Sequence, residues 1–322
     1  MKLLHTSAIA VAVAMATLAG SALAQSSVTV YGRVDLALTQ QADKVANKEI
    51  RTGSGNRLGF RGTEDLGVGQ KAVFQIEHRL NPADGSLSAA TRFWDGKALV
   101  GLEGSFGRFW MGRDENPAYT YSQSPGDPWG TDTVVANGTI MNGGIGATRY
   151  SNTLNYRIAA SGLTFAAQLG EAGKNAPAAG TAEKRTLSLG LAYGTGPLTL
   201  GMGYENPGDA DDIWTTLNAS YNFGMVKLGA FYGTGKDGLA KKRQSYLLSA
   251  TAPIAGGELR LSLGQLKNKD TAIVLDKRTA MGYVYPLSKR TSVYADLVRE
   301  GRPAMPAANK ATGYDFGLKH NF

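Results

Sequence analysis

Apolar and polar residues alternate one by one along most of the chain. Across 28–38, Val28, Val30, Val34, Leu36 and Leu38 share one face, while Thr29, Arg33 and Asp35 share the other. Successive side chains of a strand point to opposite sides, whereas a helix would scatter these residues around its circumference. The period of two returns at Leu58 and Phe60 against Arg57 and Arg61, and at Ala72, Phe74 and Ile76 against Lys71, Gln75 and Glu77. It returns again at Phe109 and Met111 against Arg108 and Trp110, and at Tyr150, Leu154, Tyr156 and Ile158 against Arg149, Ser151, Thr153, Asn155 and Arg157. Later runs carry it from 163–169 to 314–322, which makes about sixteen strands.

The connections alternate in length. Short ones at 64–69, 160–162, 194–197, 222–224, 253–257 and 286–289 hold the Gly, Pro, Asn and Ser that tight turns need. Longer polar ones lie between them, at 40–56, 80–91, 170–184, 206–212, 233–243, 267–277 and 299–311. Tight turns at one end and long loops at the other describe an all-β, antiparallel, up-and-down transmembrane barrel. Periodicity does not say which face is inside, since a soluble barrel alternates too. Charge decides it: the polar faces carry Arg33, Asp35, Arg57, Arg61, Lys71, Glu77, Arg149, Arg157 and Glu205 among others, too many to bury dry. The apolar faces end in Tyr193, Tyr204, Tyr221 and Tyr232, where rings suit the lipid headgroup level. An outward apolar belt and a wet lumen follow. Backbone groups in hydrocarbon must all be paired, so the sheet has to close, and 25–322 is expected to be one domain. Sixteen strands leave an aqueous channel.

Residues 1–24 read as a cleaved signal peptide, with Lys2, an apolar run over 8–18 and the small-x-small site Ala22, Leu23, Ala24. The run is shorter than the roughly 20 residues a membrane-spanning helix needs. Without that segment the net charge is 33 minus 26, or +7, because Lys2 is its only charged residue. There is no cysteine, so disulfides and thiolate metal sites are excluded. Lys and Arg are spread along the chain instead of clustered, which argues against nucleic acid.

One stretch breaks the pattern. Residues 114–148 contain Asp114, Glu115, Asp127 and Asp132 but no Lys or Arg, and Arg113 and Arg149 bracket them. A connection this long without apolar periodicity is either functional or a failed strand assignment. Here it is read as an acidic loop, 113–148 with its bracketing arginine, that folds inward and narrows the pore.

Several motifs in this order resemble the general porins of Gram-negative outer membranes, most closely the β-proteobacterial type. Ala22, Leu23 and Ala24 precede 25–32 (QSSVTVYG), and 57–67 reads RLGFRGTEDLG. Then come Val100, Gly101 and Leu102 with Phe106 and Gly107, 287–291 (LSKRT), and the ending 316–322 (FGLKHNF). The resemblance implies sixteen strands, a homotrimer among outer-membrane lipids and lipopolysaccharide, a third loop folded into the lumen, and Phe322 as the signal read by the barrel-assembly machinery. It also implies a basic ladder on the wall facing loop acids or carbonyls, matched by Arg57, Arg61 and Arg149, with Arg157 on the same face as Arg149. Gly96 stands where an arginine is common, so that rung is missing or supplied by Arg92 or Arg108; Lys97 has the wrong parity to replace it cleanly. Asp127 and Asp132 either pair with the wall arginines or hold the loop's own turns.

Other chemistry has little support. A Ser-His-acid site would need a serine beside His78 or His320, and none can be paired from the sequence. Asp209, Asp211 and Asp212 lack the Gly and Glu of a Ca²⁺ loop. Gly53, Ser54 and Gly55 have no following helix or Lys-Ser/Thr and read as a flexible loop, not a phosphate site. The expectation is a non-enzymatic, cofactor-free channel for passive diffusion of small hydrophilic solutes and ions, weakly anion-preferring. A substrate-specific channel or a plugged structural or adhesive barrel are the alternatives.

Overall fold

The structure, a computed structural model, describes residues 27–322 apart from 43, 46–47, 90, 173–183, 209–211, 303–308 and 310. The expected leader, and Asp209 and Asp211, lie outside the described residues.

The strands are β1 (Ser27–Gln40), β2 (Lys48–Thr52), β3 (Arg57–Gly67), β4 (Gln70–Asn81), β5 (Ser86–Leu87) and β6 (Lys97–Gly104). They continue with β7 (Gly107–Glu115), β8 (Arg149–Ala160), β9 (Leu163–Gly170), β10 (Leu187–Thr195), β11 (Leu198–Asn206) and β12 (Ile213–Asn222). The last are β13 (Lys227–Lys236), β14 (Lys242–Ile254), β15 (Gly257–Asn268), β16 (Val274–Pro286), β17 (Thr291–Glu300) and β18 (Thr312–Asn321). Two of the eighteen, β2 and β5, are short additions within loops the sequence reads as irregular. The other sixteen pair antiparallel in chain order, and β1 closes the barrel by pairing with both β18 and β3. The sixteen-strand barrel anticipated from the alternation is present.

The tight turns explain the register. Ala160 faces Leu163 across Ser161 and Gly162, and Ile254 faces Gly257 across Ala255 and Gly256. Both central residues have positive φ in each case, 50° and 81° in the first and 49° and 79° in the second. This backbone twist matches that of the flanking strands, and glycine adopts it without a Cβ penalty.

The outward face is apolar and exposed: Val30, Leu102, Met111, Leu154, Leu217, Leu263 and Phe316 all point away from the lumen. Inside, the polar row is interrupted by two apolar patches. Trp214, Phe231, Leu247 and Leu266 enclose Ile140 and Met141, and Ala280 and Val298 enclose Trp129, Val134 and Val135. In both, the enclosed residues belong to the segment between β7 and β8. The interior is thus wet along one arc and packed along the other.

One parity differs from the sequence reading. Tyr150, grouped with the outward Leu154, is 2 % exposed and points inward. Between the pairs Gly112–Thr153 and Asp114–Tyr150, one residue of β7 (Arg113) lies opposite two of β8 (Ser151 and Asn152), with Asn152 at φ 53°. This bulge reverses the alternation.

Candidate functional site

The segment between β7 and β8 is shorter than expected. Asp114 and Glu115 complete β7, and a backbone hydrogen bond from Asn116 N to the Thr148 carbonyl (3.0 Å) closes the neck of a loop over 116–148. Within it are a π-helical turn (Tyr119–Gln123), a 3₁₀ turn (Ser124–Gly126) and helix α1 (Gly138–Asn142).

Wall side chains hold this loop inside the barrel. Glu205 on β11, fully buried, accepts from Ala147 N (2.8 Å), Tyr150 Oη (2.5 Å), Asn116 Nδ2 (3.2 Å) and Gln123 Nε2 (3.2 Å), so one carboxylate binds both ends of the neck. Trp214 Nε1 donates to the Met141 carbonyl at 2.9 Å. Further round, Asp296 accepts from Trp129 Nε1 (2.8 Å), Asp315 accepts from Val134 N (2.9 Å), and Arg278 donates to the Val135 carbonyl (2.9 Å). Each spends a charge or indole N–H on a backbone or side-chain group that would otherwise be buried without a partner.

Opposite this packed arc lies a basic cluster. Arg33 faces Arg57 across the ladder of β1 and β3, and Arg57 faces Arg79 across that of β3 and β4, so three arginines stand in one row on adjacent strands. Glu77 tempers them at 2.8 Å from Arg79 and 3.9 Å from Arg57. Glu115 bridges Arg149 (2.7 Å) and Arg79 (3.9 Å), and Lys97 reaches Asp114 (2.6 Å) and Glu115 (3.5 Å). The loop meets this cluster at Asp132, whose carboxylate accepts from Gly55 N at 3.4 Å. Burial pushes the Asp132 carboxyl up, against the opposing pull of the Gly55 N–H and the Arg33, Arg57 and Arg79 charges.

Asp127 does not face the arginines. It accepts from Asn137 Nδ2 (3.0 Å), Thr131 N (2.8 Å) and Trp129 N (3.3 Å), closing the turn after Pro128, and burial raises its carboxyl too. Of the two readings the sequence leaves open, Asp127 takes the turn-holding one and Asp132 the wall-facing one. Arg61 stacks over Tyr31 at 5.3 Å, and Arg157 lies beside the Tyr121 hydroxyl, so neither joins the row of Arg33, Arg57 and Arg79.

Gly96 leaves no gap. A Cβ there would collide with Glu77 Oε1, and Lys97 and Arg79 supply the positive charge around it. Lys97 pairs with Glu77 across β4 and β6 and faces inward, contrary to the parity inferred for it. Arg92 instead pairs with Asp95 (3.7 Å), and Arg108 stacks on Trp110 (5.1 Å). Sequence reasoning missed Arg79, although it shares the alternation of Gln75 and Glu77 and could have been found by extending that run.

Gly53, Ser54 and Gly55 are not a free loop. Ser54 is buried against Asp35, the Gly53 carbonyl accepts from Thr133 N (2.8 Å), and a Cβ on Gly55 would collide with Arg79 Nη1. The glycines let the wall approach the inner loop closely. His78 stacks on Phe93 (4.2 Å between ring centroids), and His320 Nδ1 lies 2.9 Å from Thr291 Oγ1.

A family model described as Gram-negative porin matches residues 10–301. Outer membrane porin protein 32 of Delftia acidovorans is 32% identical, covering 97% of this chain and 99% of the relative. An outer membrane porin protein of Bordetella pertussis is 29% identical, covering 96% of this chain and 97% of the relative. Among solved structures, an anion-selective porin from Comamonas acidovorans superposes with a TM-score of 0.76 at 29% identity, covering 92% of this chain and 100% of that one.

Proposed function

The chain belongs to the Gram-negative porin family of outer-membrane channels, and from that premise we propose that Arg33, Arg57, Arg79 and Arg149, facing Asp132, form the narrowest part of an anion-preferring pore. The observation that carries this reading is the row of three arginines on adjacent strands. Like charges directly opposite one another destabilise a sheet, so three in a row are a cost to folding that a task in the lumen explains. A ring of charged side chains is also the simplest physical basis for ion selectivity. Glu77, Asp114, Glu115 and Asp132 offset part of the positive charge, which keeps the preference modest. Arg61 and Arg157 lie outside the cluster and extend the positive lining along the lumen. The name of the Comamonas structure, an anion-selective porin, supports the same sign.

The same membership supports a homotrimer among outer-membrane lipids and lipopolysaccharide, conducting small hydrophilic solutes without a cofactor or a catalytic step. Phe322, whose backbone pairs with Gly32 (3.0 and 3.1 Å) where the barrel closes, suits the role of assembly signal.

The test is the reversal potential of the reconstituted protein in a salt gradient across a planar bilayer. A potential of anion-favouring sign is expected. A cation-favouring potential would remove the arginine row from control of the pore, and absence of conductance would identify a plugged barrel.

A further inference from the structure

A second group of polar side chains lies across the lumen from the arginine row. A cavity of about 250 Å³ separates the inner loop over 124–128 from the wall of β12–β15. The wall contributes Ser220, Lys227, Gly229, Ser249, Thr251 and Glu258. Ser220, Lys227, Thr251 and Glu258 stand at the tight-turn ends of their strands, so the cavity is on the side of the inner loop away from the long loops.

Strand pairing arranges the wall in two rows. Ser220, Gly229, Ser249 and Ser262 follow one another across β12 to β15, and Asn222, Lys227, Thr251 and Arg260 form the next row toward the turns. Neighbouring strands are ~4.8 Å apart, so Ser220 and Ser249 flank a bare glycine at about 10 Å from each other. Gly229 does not have a positive φ, so its backbone does not require glycine. Within a strand such a glycine marks the close approach of another backbone or of a ligand. At Gly190, Gly201 and Gly203 that other backbone is the inner loop, which a Cβ would strike. At Gly229 the three nearest atoms all belong to Ser249 and Ser220, and a Cβ would project into the floor of the cavity, 2.5 Å from Ser249 Oγ.

The chemistry of the lining is open. Among the described residues, the hydroxyls of Ser124, Ser220, Ser249 and Thr251 and the ammonium of Lys227 have no hydrogen-bond or ion-pair partner in the protein. Two carboxylates share the space, and both are engaged. Glu258 pairs with Arg260 (2.7 Å), and Asp127 accepts from Asn137, Thr131 and Trp129 in the loop's own turn. Lys227 is left as the cation without a counter-charge. Unpaired hydroxyls occur anywhere on a solvated wall, but here four converge with one uncompensated cation over a floor that a glycine keeps clear.

We propose that this cavity binds hydroxylated monocarboxylates, the sugar acids. The carboxylate sits at Lys227 in a charge-assisted hydrogen bond, and the hydroxyl-bearing chain crosses Gly229 between Ser220, Ser249 and Ser124. Serine hydroxyls donate and accept, as the hydroxyls of a polyol do. The two rows lie about 7 Å apart, a distance that a six-carbon chain spans. Glu258 and Asp127 oppose a second negative charge, which favours a monoanion over a dicarboxylate or a phosphate. The proposal rests on the inner loop leaving the lumen open to solutes.

The test is isothermal titration calorimetry of the full porin in detergent with gluconate, glucose and propionate. Gluconate alone has both the carboxylate and the hydroxyls, and is expected to bind about tenfold tighter than either of the others. Lys227→Gln is expected to weaken gluconate about tenfold and to leave glucose unchanged, and S220A/S249A to weaken gluconate about fivefold per hydroxyl. Gly229→Ala puts a methyl group into the floor and is expected to weaken gluconate at least as much as Lys227→Gln does. Should that variant not fold, Lys227→Gln, at an exposed side chain, reads the same site. Arg79→Gln is expected to leave gluconate affinity intact. Loss of binding in Arg79→Gln but not in Lys227→Gln would move the anion to the arginine row and overturn the proposal. Propionate binding as tightly as gluconate would reduce the cavity to a simple anion site, and wild-type protein that does not bind gluconate would remove the site; either overturns the proposal. Planar-bilayer conductance separates this from the pore itself. Binding without conductance would reject the channel and leave the cavity's ligand standing, whereas conductance without binding would reject the cavity's ligand alone.

Discussion

Arg79 is the residue on which the proposed selectivity turns. It is buried between Arg57 and Arg149, with Glu77 and Glu115 as its counter-charges. A unit charge about 5 Å from a permeating ion is worth ~0.8 kcal/mol in water, or about fourfold in occupancy. Arg79→Gln is therefore expected to lower the anion-to-cation permeability ratio about fourfold, while Arg61→Gln, removed from the cluster, changes it far less. Equal effects of the two in reversal-potential measurements would dissolve the distinction drawn between them. Asp132 works in the opposite direction. Because burial raises its carboxyl, that group titrates above its ordinary value. Its contribution to stability is present below the ordinary value and is lost as pH rises through the raised one. In the channel, acidification through that value neutralises Asp132 and is expected to increase anion preference. Asp132→Asn should show the higher preference already at neutral pH and lack this step; an unchanged pH profile in the variant would exclude Asp132 from the pore's field.

At the scale of elements, the inner loop depends on a few wall side chains more than on its own short helices. Glu205 is the most connected, accepting from four groups on both sides of the neck. Removing it strands several buried donors at about 1–3 kcal/mol each. Glu205→Ala is expected to increase open-channel current noise and to lower the thermal unfolding temperature while leaving the strand signal in circular dichroism intact. A quiet channel with wild-type stability would show that the apolar patches around Trp214 and Trp129 hold the loop by themselves. Those patches were partly legible in the chain: Phe231, Leu247, Leu266 and Val298 are apolar at positions of inward parity, where water-facing residues are expected. They mark where the lumen is not lined by water but covered by the loop.

Over the whole molecule, positive charge extends beyond the arginine row: Lys319 lies near Arg33 and Arg260. A selectivity built from a distributed field is sensitive to screening, because the Debye length falls from about 10 Å at 0.1 M salt to about 3 Å at 1 M. The anion-to-cation ratio is therefore expected to be larger at the lower concentration for the same salt gradient. A ratio independent of concentration would point to a single dehydrated binding site instead.

Alternation determined the barrel and its strand number, and the charges on one face determined its inside-out polarity, because a period of two is imposed by strand geometry and charges in such number demand water. The family motifs then identified the segment before Arg149 as the inner loop. Tertiary structure decided what alternation cannot carry. The bulge at Asn152 turned Tyr150 inward to Glu205, and the end of β7 withdrew Asp114 and Glu115 from the loop into the wall. Arg33, Arg57 and Arg79 are far apart in the chain and meet only through the register of three strands, just as Asp132 meets them only through the path of the loop. A pattern along the chain specifies which face a side chain takes, but its neighbours on that face are set by strand pairing, and the charge felt at the pore is a property of those neighbours.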